Sequence, residues 1–448
     1  MTRADAPEPT NSANALLLLG GSFLGVAMVA KNAIPPYFAD LRNLLAISLV
    51  SLVGPCLYYL VGLRPSFAGD RRRFWIAAAT CGLIVFGLMA KQVTLRGSEH
   101  LPVGIHDGAV QTEVAAQKLL SGENPYGADY RSTPYQALNP PIVGGPTDNV
   151  VWHHYMYPPV TILLTAGLDI IARVVHAQAD FRFITMGAAL VLALVLLMRA
   201  TSWSDRTRRL LLILGNPAVW IFVLIGANES VVLLALVAVA WLTQQRRWLL
   251  AGMMMGIALG TKQSAWLALP LWFIWLWAMA RKKELSSRGM RTIGASLIGM
   301  VALIFGPFIV WSWQAFFRDI ITYASGAIPY TYPISGTTFL QYLHIWHVVP
   351  SAWTVISAAP FQMLVGLPML YILGRWIYRN PSVSNWLLAV ALFILSILLV
   401  SRYLNNNYVS LIIGLCVVAY LQQTIAVPEV LPVLVAVRPA KHTPPSTS

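Results

Sequence analysis

A polar stretch from Gln92 to Tyr157 interrupts a chain that is otherwise mostly hydrophobic, and its side chains could do acid–base chemistry. It contains the motifs GIHDG, GENPYG and HHYMYPP and holds six of the 17 acidic residues. A carboxylate at the edge of a bilayer, such as Asp107 in GIHDG, can accept a proton from a hydroxyl group. Asp107 could equally cap a helix formed by the sequence GAVQTEVAAQKLL that follows it. The two roles are compatible, and the sequence leaves both open.

Other polar side chains of this stretch could bind a polar substrate. The histidines and tyrosines of HHYMYPP could instead form the aromatic belt that lines a membrane surface. Proline favours the first turn of a helix, so Pro158-Pro159 predicts a second helix along the surface. The candidate substrate-binding residues here are His106, Glu113, Tyr126, His153, His154 and Tyr157.

A second group of candidates comes from turns later in the chain. Lys262, followed by Gln263, stands at the end of an apolar segment, where a cation is costly unless an anion such as a lipid-linked phosphate binds it. Snorkelling to lipid headgroups is the alternative. Glu229 in GANES could cap a helix or line the site. Arg402 and Asn405 could bind phosphate or sugar hydroxyls, or could belong to an ordinary polar turn.

Composition places the chain in a membrane. It is 57% hydrophobic and 11% charged, whereas soluble domains contain roughly 25% charged residues. About 20 apolar residues are needed per spanning helix. The sequence predicts an all-α polytopic protein with about twelve spans, near 14–31, 43–63, 74–91, 181–199, 209–226, 229–243, 248–262, 265–280, 292–312, 351–374, 384–401 and 407–424.

The basic residues give the spans a direction. The net charge of +14 comes from Lys and Arg between apolar segments, so they indicate topology rather than a nucleic-acid surface. Most of them fall on one side if the segment after Pro159 lies on the surface without crossing. This predicts cytoplasmic, disordered tails (1–13 and 425–448), a transmembrane domain (14–424) and an outward-facing loop (92–180).

Several classes of enzyme are excluded by missing motifs. There is no P-loop, dinucleotide fingerprint, GxSxG or HExxH motif, and the inner loops are too short for a nucleotide-using domain. A group donor must therefore arrive through the membrane. The three cysteines lie in apolar runs, and no metal cluster or cofactor is expected.

Short motifs in this order and spacing resemble the GT-C superfamily of membrane glycosyltransferases, and within it the bacterial family 87 (DUF2029) enzymes. The resemblance covers about residues 74–280. The residues that carry it are Asp107; Gly122, Pro125 and Tyr126; Tyr155, Tyr157, Pro158 and Pro159; Gly215 to Pro217; GANES; and Ala251, Gly252, Gly256 and Lys262. The GANES turn departs from the Gly-Gln or Gly-Asp pair of many relatives, and two predicted spans precede the similar region.

The resemblance implies transfer of mannose or arabinofuranose from a polyprenyl phosphate to a glycan or glycolipid, at the outer face of the plasma membrane. It implies inversion at the sugar, with Asp107 as the general base. Lys262 and Arg402 would then stabilise the leaving phosphate, with His153 or His154 assisting.

Other functions stay open from the sequence. A transporter or flippase of lipid-linked sugars would carry polar or broken segments within its spans. A polysaccharide polymerase or ligase would gather Arg and His in a late outer loop, and Arg318, His344 and His347 keep this alternative open. A non-catalytic subunit is the remaining possibility.

Overall fold

The protein is described by a computed structural model over residues 14–21, 41–63, 66–99, 104–139, 149–328 and 331–423. The predicted tails, 1–13 and 425–448, lie outside the described residues, as does residue 22 onward of the predicted span 14–31. The predicted all-α class is confirmed, because helices dominate the described ranges. The strands found there form one short parallel pair, β1 (Ser335–Gly336) and β2 (Tyr403–Leu404).

Helices follow one another along the described chain, beginning with residues 14–21. The labelled helices are α1 (Leu41–Gly62), α2 (Phe67–Glu99), α3 (Asp107–Leu120), α4 (Pro134–Leu138), α5 (Pro159–Val174), α6 (Arg182–Met198), α7 (Trp203–Ile213), α8 (Pro217–Leu224), α9 (Glu229–Gln244), α10 (Trp248–Leu259), α11 (Ala268–Arg281), α12 (Ser287–Phe317), α13 (Tyr323–Ser325), α14 (Phe339–Ile345), α15 (Ala359–Arg379), α16 (Val383–Leu399) and α17 (Asn406–Gln423). Short 3-10 turns occupy Val150–His153 and Gln263–Leu267, and a π-helical turn occupies Arg318–Thr322.

Within the described ranges, three helical stretches are long and apolar enough to cross a bilayer by themselves: Ala68–Thr94, Gln263–Arg281 and Ser287–Ser325. Six more apolar helices are shorter, between 10 and 17 residues. The predicted span 209–226 is not one continuous helix, because α7 and α8 meet at an angle of 56°. Asn216 and Pro217 explain the break: the Asn216 side chain accepts a hydrogen bond from the Ala218 amide at 3.1 Å, which starts a new helix with proline in its first turn.

The predicted span 351–374 also begins later than expected, since α15 starts at Ala359.

Close packing of α10 on α12 has a clear sequence origin. A Cβ atom on Gly252 would lie 2.5 Å from the Ile293 carbonyl oxygen, and one on Gly256 would lie 2.7 Å from Met300 Cβ. The small face of α10 therefore lets the two backbones approach, as small residues do between membrane helices.

Helices α3 and α5 form a layer beside these longer helices. The helix predicted at Pro158-Pro159 is confirmed, with Pro159 as the first residue of α5. Residues of α3 and α5 pack together through buried Val110, Ala115 and Ile162. The predicted cap at Asp107 is wrong by one residue. His106 is the N-cap of α3 and accepts a hydrogen bond from the Gly108 amide, while Asp107 is the first helical residue.

A buried ionic network fastens α3 to α2 and α6. The Arg96 guanidinium of α2 contacts Glu113 of α3 and lies 3.0 Å from Asp180, whose second oxygen accepts from Arg182 of α6 at 2.9 Å. Glu113 also accepts from the Phe181 amide at 2.8 Å. Burial alone would raise the pKa of Asp180, but Arg182 and Arg96 together lower it below its usual value. The network holds the helix that begins at Asp107.

Removing the Asp180 charge should destabilise the protein strongly. Asp180→Asn leaves two buried guanidinium groups with one carboxylate, and breaking a buried pair in this way costs about 3–5 kcal/mol. Thermal unfolding of the detergent-purified protein measures the loss. The matched control is Asp129→Asn, whose half-exposed side chain pairs with Arg131 and which should cost at most about 1 kcal/mol. Equal unfolding midpoints for the two variants would contradict a stabilising role for the network.

Candidate active site

A cavity of about 110 Å³ lies where α3, the turn before α5, the 3-10 turn after α10 and the start of α17 meet. Six of the predicted site residues line it, although they are separated by up to 299 positions in sequence (405 − 106). The six are His106, Asp107, His154, Tyr157, Gln263 and Asn405. The fold therefore brings together six of the twelve predicted site residues.

Asp107 stands at the positive end of the α3 helix dipole, which favours a carboxylate there. Its Oδ1 accepts a hydrogen bond from the Gly108 amide at 2.8 Å and lies 3.1 Å from Nδ1 of His106. The side chain is 40% exposed, so it is open to the cavity. Within the described residues, its Oδ2 has no hydrogen-bond donor. One carboxylate oxygen is thus held by the helix and the other is available to a ligand.

The walls of the cavity are largely aromatic. Six tyrosines line it: Tyr135, Tyr157, Tyr323, Tyr332, Tyr403 and Tyr408. Gly108 allows the Tyr157 ring to pack directly on the start of α3, because a Cβ at that position would collide with the ring. Burial raises the pKa of Tyr332 to about 12, with the Asp107 carboxylate adding to the effect. Neutral phenols in such walls offer flat faces and hydroxyl groups to a sugar.

Lys262 lies behind the tyrosine wall in an ion pair with Glu229. Its ammonium group contacts Glu229 Oε1, donates to Asn228 Oδ1 at 2.9 Å and lies 4.4 Å from the centre of the Tyr408 ring. Asn407 donates to the same Glu229 oxygen at 2.8 Å. Both charged side chains are almost fully buried. Neither lines the cavity, so the pair supports the wall from behind.

His154 enters the cavity with its ring fixed on two sides. Its Nδ1 lies 2.7 Å from Asp319 Oδ1, and its ring stacks on Tyr323 with centroids 4.2 Å apart. Gln263, beside it, donates hydrogen bonds to the carbonyls of Met156 and Ile320. These contacts join the turn before α5 to the π-helical turn after α12.

Four more predicted residues lie outside the cavity lining. Glu113 belongs to the buried network with Arg96, and Tyr126 is buried, its hydroxyl donating to the Tyr157 carbonyl at 3.0 Å. His153 is half-buried in the turn before α5.

Arg402 is the fourth, and its guanidinium donates to the carbonyls of Tyr332, Ala352, Thr354 and Ile356.

Several cavity residues were not among the predicted site residues. Asn407 and Tyr408 follow directly after the predicted Asn405, and Tyr323 and Tyr332 lie in an aromatic-rich stretch, which is a weak signal. Nothing in the sequence indicated that Tyr135 or Gln111 belongs to the site. Among the described residues, no three His, Cys, Asp or Glu side chains are grouped as metal ligands.

Comparison with known proteins gives one match. Residues 155–401 match the model of glycosyltransferase family 87, and no curated protein and no solved structure matches the chain. The matched region overlaps the resemblance read from the sequence at residues 155–280 and leaves Asp107 and His154 outside it. Apolar helices together with this family indicate a membrane protein. Because the match spans more than half of the 448 residues, the chain belongs to glycosyltransferase family 87.

Proposed function

We propose that this glycosyltransferase transfers mannose or arabinofuranose from a polyprenyl phosphate to a glycan or glycolipid acceptor, with inversion and with Asp107 as the general base. The observation that carries the proposal is the Asp107 carboxylate, which opens into the tyrosine-lined cavity at the start of α3. A base must reach the hydroxyl proton that it removes, and Asp107 Oδ2 is free to do so.

The chemistry follows from that position. Asp107 takes the proton of the acceptor hydroxyl while the hydroxyl oxygen attacks the anomeric carbon. The bond from that carbon to the phosphate oxygen breaks, its electron pair stays on the phosphate, and polyprenyl phosphate leaves. Asn405 and Gln263 are suited to hydrogen-bonding sugar hydroxyls, and the Tyr157 and Tyr332 rings to stacking on the sugar.

In this proposal, Lys262 and Arg402 do not bind the phosphate directly. The Lys262 ammonium lies against the Tyr157 and Tyr408 rings and would have to leave Glu229 to touch a ligand. Arg402 binds the carbonyl of Tyr332 and so orders a cavity wall. Both cations then support the site through the residues that line it.

The finer membrane arrangement also belongs to the proposal. We infer twelve spans, cytoplasmic tails and a loop from 92 to 180 on the outer face of the plasma membrane. The charge pattern supports this, because basic residues concentrate between apolar segments on one side. The short apolar helices α9, α10, α16 and α17 would reach across a bilayer together with their capping turns, since packed neighbours shield helix ends.

Asp107→Asn should abolish transfer, because an amide cannot accept the hydroxyl proton. We expect a loss of about 10²–10⁴-fold when purified protein is given polyprenyl-phosphate mannose or polyprenyl-phosphate arabinose, with membrane extract as acceptor. The donor that the wild type uses identifies the sugar.

The control for this assay is Asp129→Asn, a carboxylate of the same loop that lies outside the cavity lining, which should keep full activity. Undiminished transfer by folded Asp107→Asn would remove Asp107 as the base. Translocation of the lipid-linked sugar in vesicles without any transfer would favour a flippase.

Cysteine labelling should show which side of the membrane each loop faces. With Cys56, Cys81 and Cys416 replaced by Ala, a cysteine introduced as Ala137→Cys should react with a membrane-impermeant maleimide in intact cells. Lys283→Cys should react only after the membrane is opened, because 283 lies in a predicted inner loop. Both positions are exposed. Labelling of Lys283→Cys in intact cells would refute the proposed orientation.

A further inference from the structure

A cation stabilises a leaving phosphate, and the described residues that line the cavity include no Lys or Arg. The two buried cations nearest to it are engaged by the protein, Lys262 by Glu229 and Arg402 by backbone carbonyls. Of the side chains that line the cavity, His106 and His154 are those that can carry a positive charge. Either of these two histidines could therefore bind the phosphate.

The two histidines differ in the carboxylate that they contact. Nδ1 of His106 lies 3.0 Å from the Gly108 amide and 3.1 Å from Oδ1 of Asp107, the proposed base, so a phosphate at this ring would be repelled by the Asp107 carboxylate. Nδ1 of His154 lies 2.7 Å from a carboxylate oxygen of Asp319, a buried side chain outside the cavity lining, and can donate a hydrogen bond to it. His154 is therefore the histidine suited to bind an anion.

Asp319 is built to hold that contact. It is fully buried in the π-helical turn, and its other oxygen accepts from the Gly127 amide at 2.6 Å and the Tyr155 amide at 3.2 Å. Those two amides come from the GENPYG turn and from the residue after His154. The carboxylate thus cannot swing away from the ring, and Tyr323 holds the ring plane by stacking.

We propose that Asp319 is a positioning residue that fixes His154 as a cationic donor, whose Nε2 hydrogen-bonds the phosphate of the polyprenyl phosphate. Within the described residues, Nε2 has no partner, and it lies on the ring edge opposite to the nitrogen that Asp319 holds. No proton needs to be transferred: the hydrogen bond stabilises charge that develops on the phosphate oxygen as the bond to the sugar breaks. This inference rests on the proposed function.

Equilibrium binding tests it without requiring turnover. The probes are undecaprenyl phosphate and the uncharged alcohol undecaprenol, each titrated into nanodisc-embedded protein and followed by Trp fluorescence. Wild type should bind the phosphate more tightly than the alcohol. His154→Asn keeps an amide donor for Asp319 but removes Nε2, and should lose about 10- to 100-fold in phosphate affinity with an unchanged unfolding midpoint. Its affinity for the alcohol should not change.

Asp319→Asn should reduce the same phosphate preference, and should reduce it no further in a His154→Asn background, because it acts through His154. The other ionisable groups around the pair are the same in both proteins: Arg318 lies 3.5 Å from the same Asp319 oxygen, Tyr323 stacks on the ring, and Asp107 lies across the cavity.

The result that overturns the inference is equally definite. If wild type shows no preference for the phosphate, or if Asp319→Asn weakens phosphate and alcohol binding by the same factor in both backgrounds, Asp319 is only a structural residue. Absence of sugar transfer by wild type in the separate assay would instead count against the proposed function. The two failures are therefore distinguishable.

Discussion

The structure depends on one constraint: a charged side chain can be buried only together with partners of opposite charge that accept or donate its hydrogen bonds. An isolated ion inside a protein costs several kcal/mol, yet Arg96, Arg182, Glu113 and Asp180 are all buried. Each is tolerated because the others neutralise it and accept or donate its hydrogen bonds. Since Glu113 lies six positions after Asp107 on the same helix, the register of this network also fixes where Asp107 stands. The candidate base is therefore held in place by a contact further along its helix.

The same rule decides what the cavity can bind. Lys262 is paired with Glu229, the Arg402 guanidinium donates its hydrogen bonds to loop carbonyls, and neither residue lines the cavity. Six tyrosines line the walls, and interactions between charges strengthen where such rings take the place of water. In the mechanism that we propose, Asp107 accepts the proton and His154 binds the phosphate.

Local patterns predicted the helices well and the site only in part. Helices α6, α9, α16 and α17 begin and end within two residues of the predicted limits, because apolar runs bounded by polar turns specify them. The break between α7 and α8 was missed, although Asn216-Pro217 signals a helix start, because hydropathy alone continues across it. Roles for Glu113 and Arg402 could not be read from residue type, since their partners come from distant parts of the chain.

His154 and Asp319 illustrate that last limit, since 165 positions separate them. A histidine in HHYMYPP looks like an aromatic anchor until its partner is known, and an aspartate after an apolar helix looks like a capping residue. Their meaning comes from the π-helical turn, which rotates Asp319 into the buried space beside the GENPYG turn. The family match begins at Tyr155 and contains Asp319 but neither His154 nor Asp107. The cavity therefore combines residues from inside and outside the matched region. Unmatched residues contribute Asp107, His154 and three of the wall tyrosines (Tyr135, Tyr403 and Tyr408), and matched residues contribute Tyr157, Tyr323, Tyr332 and the Asp319 carboxylate that contacts His154.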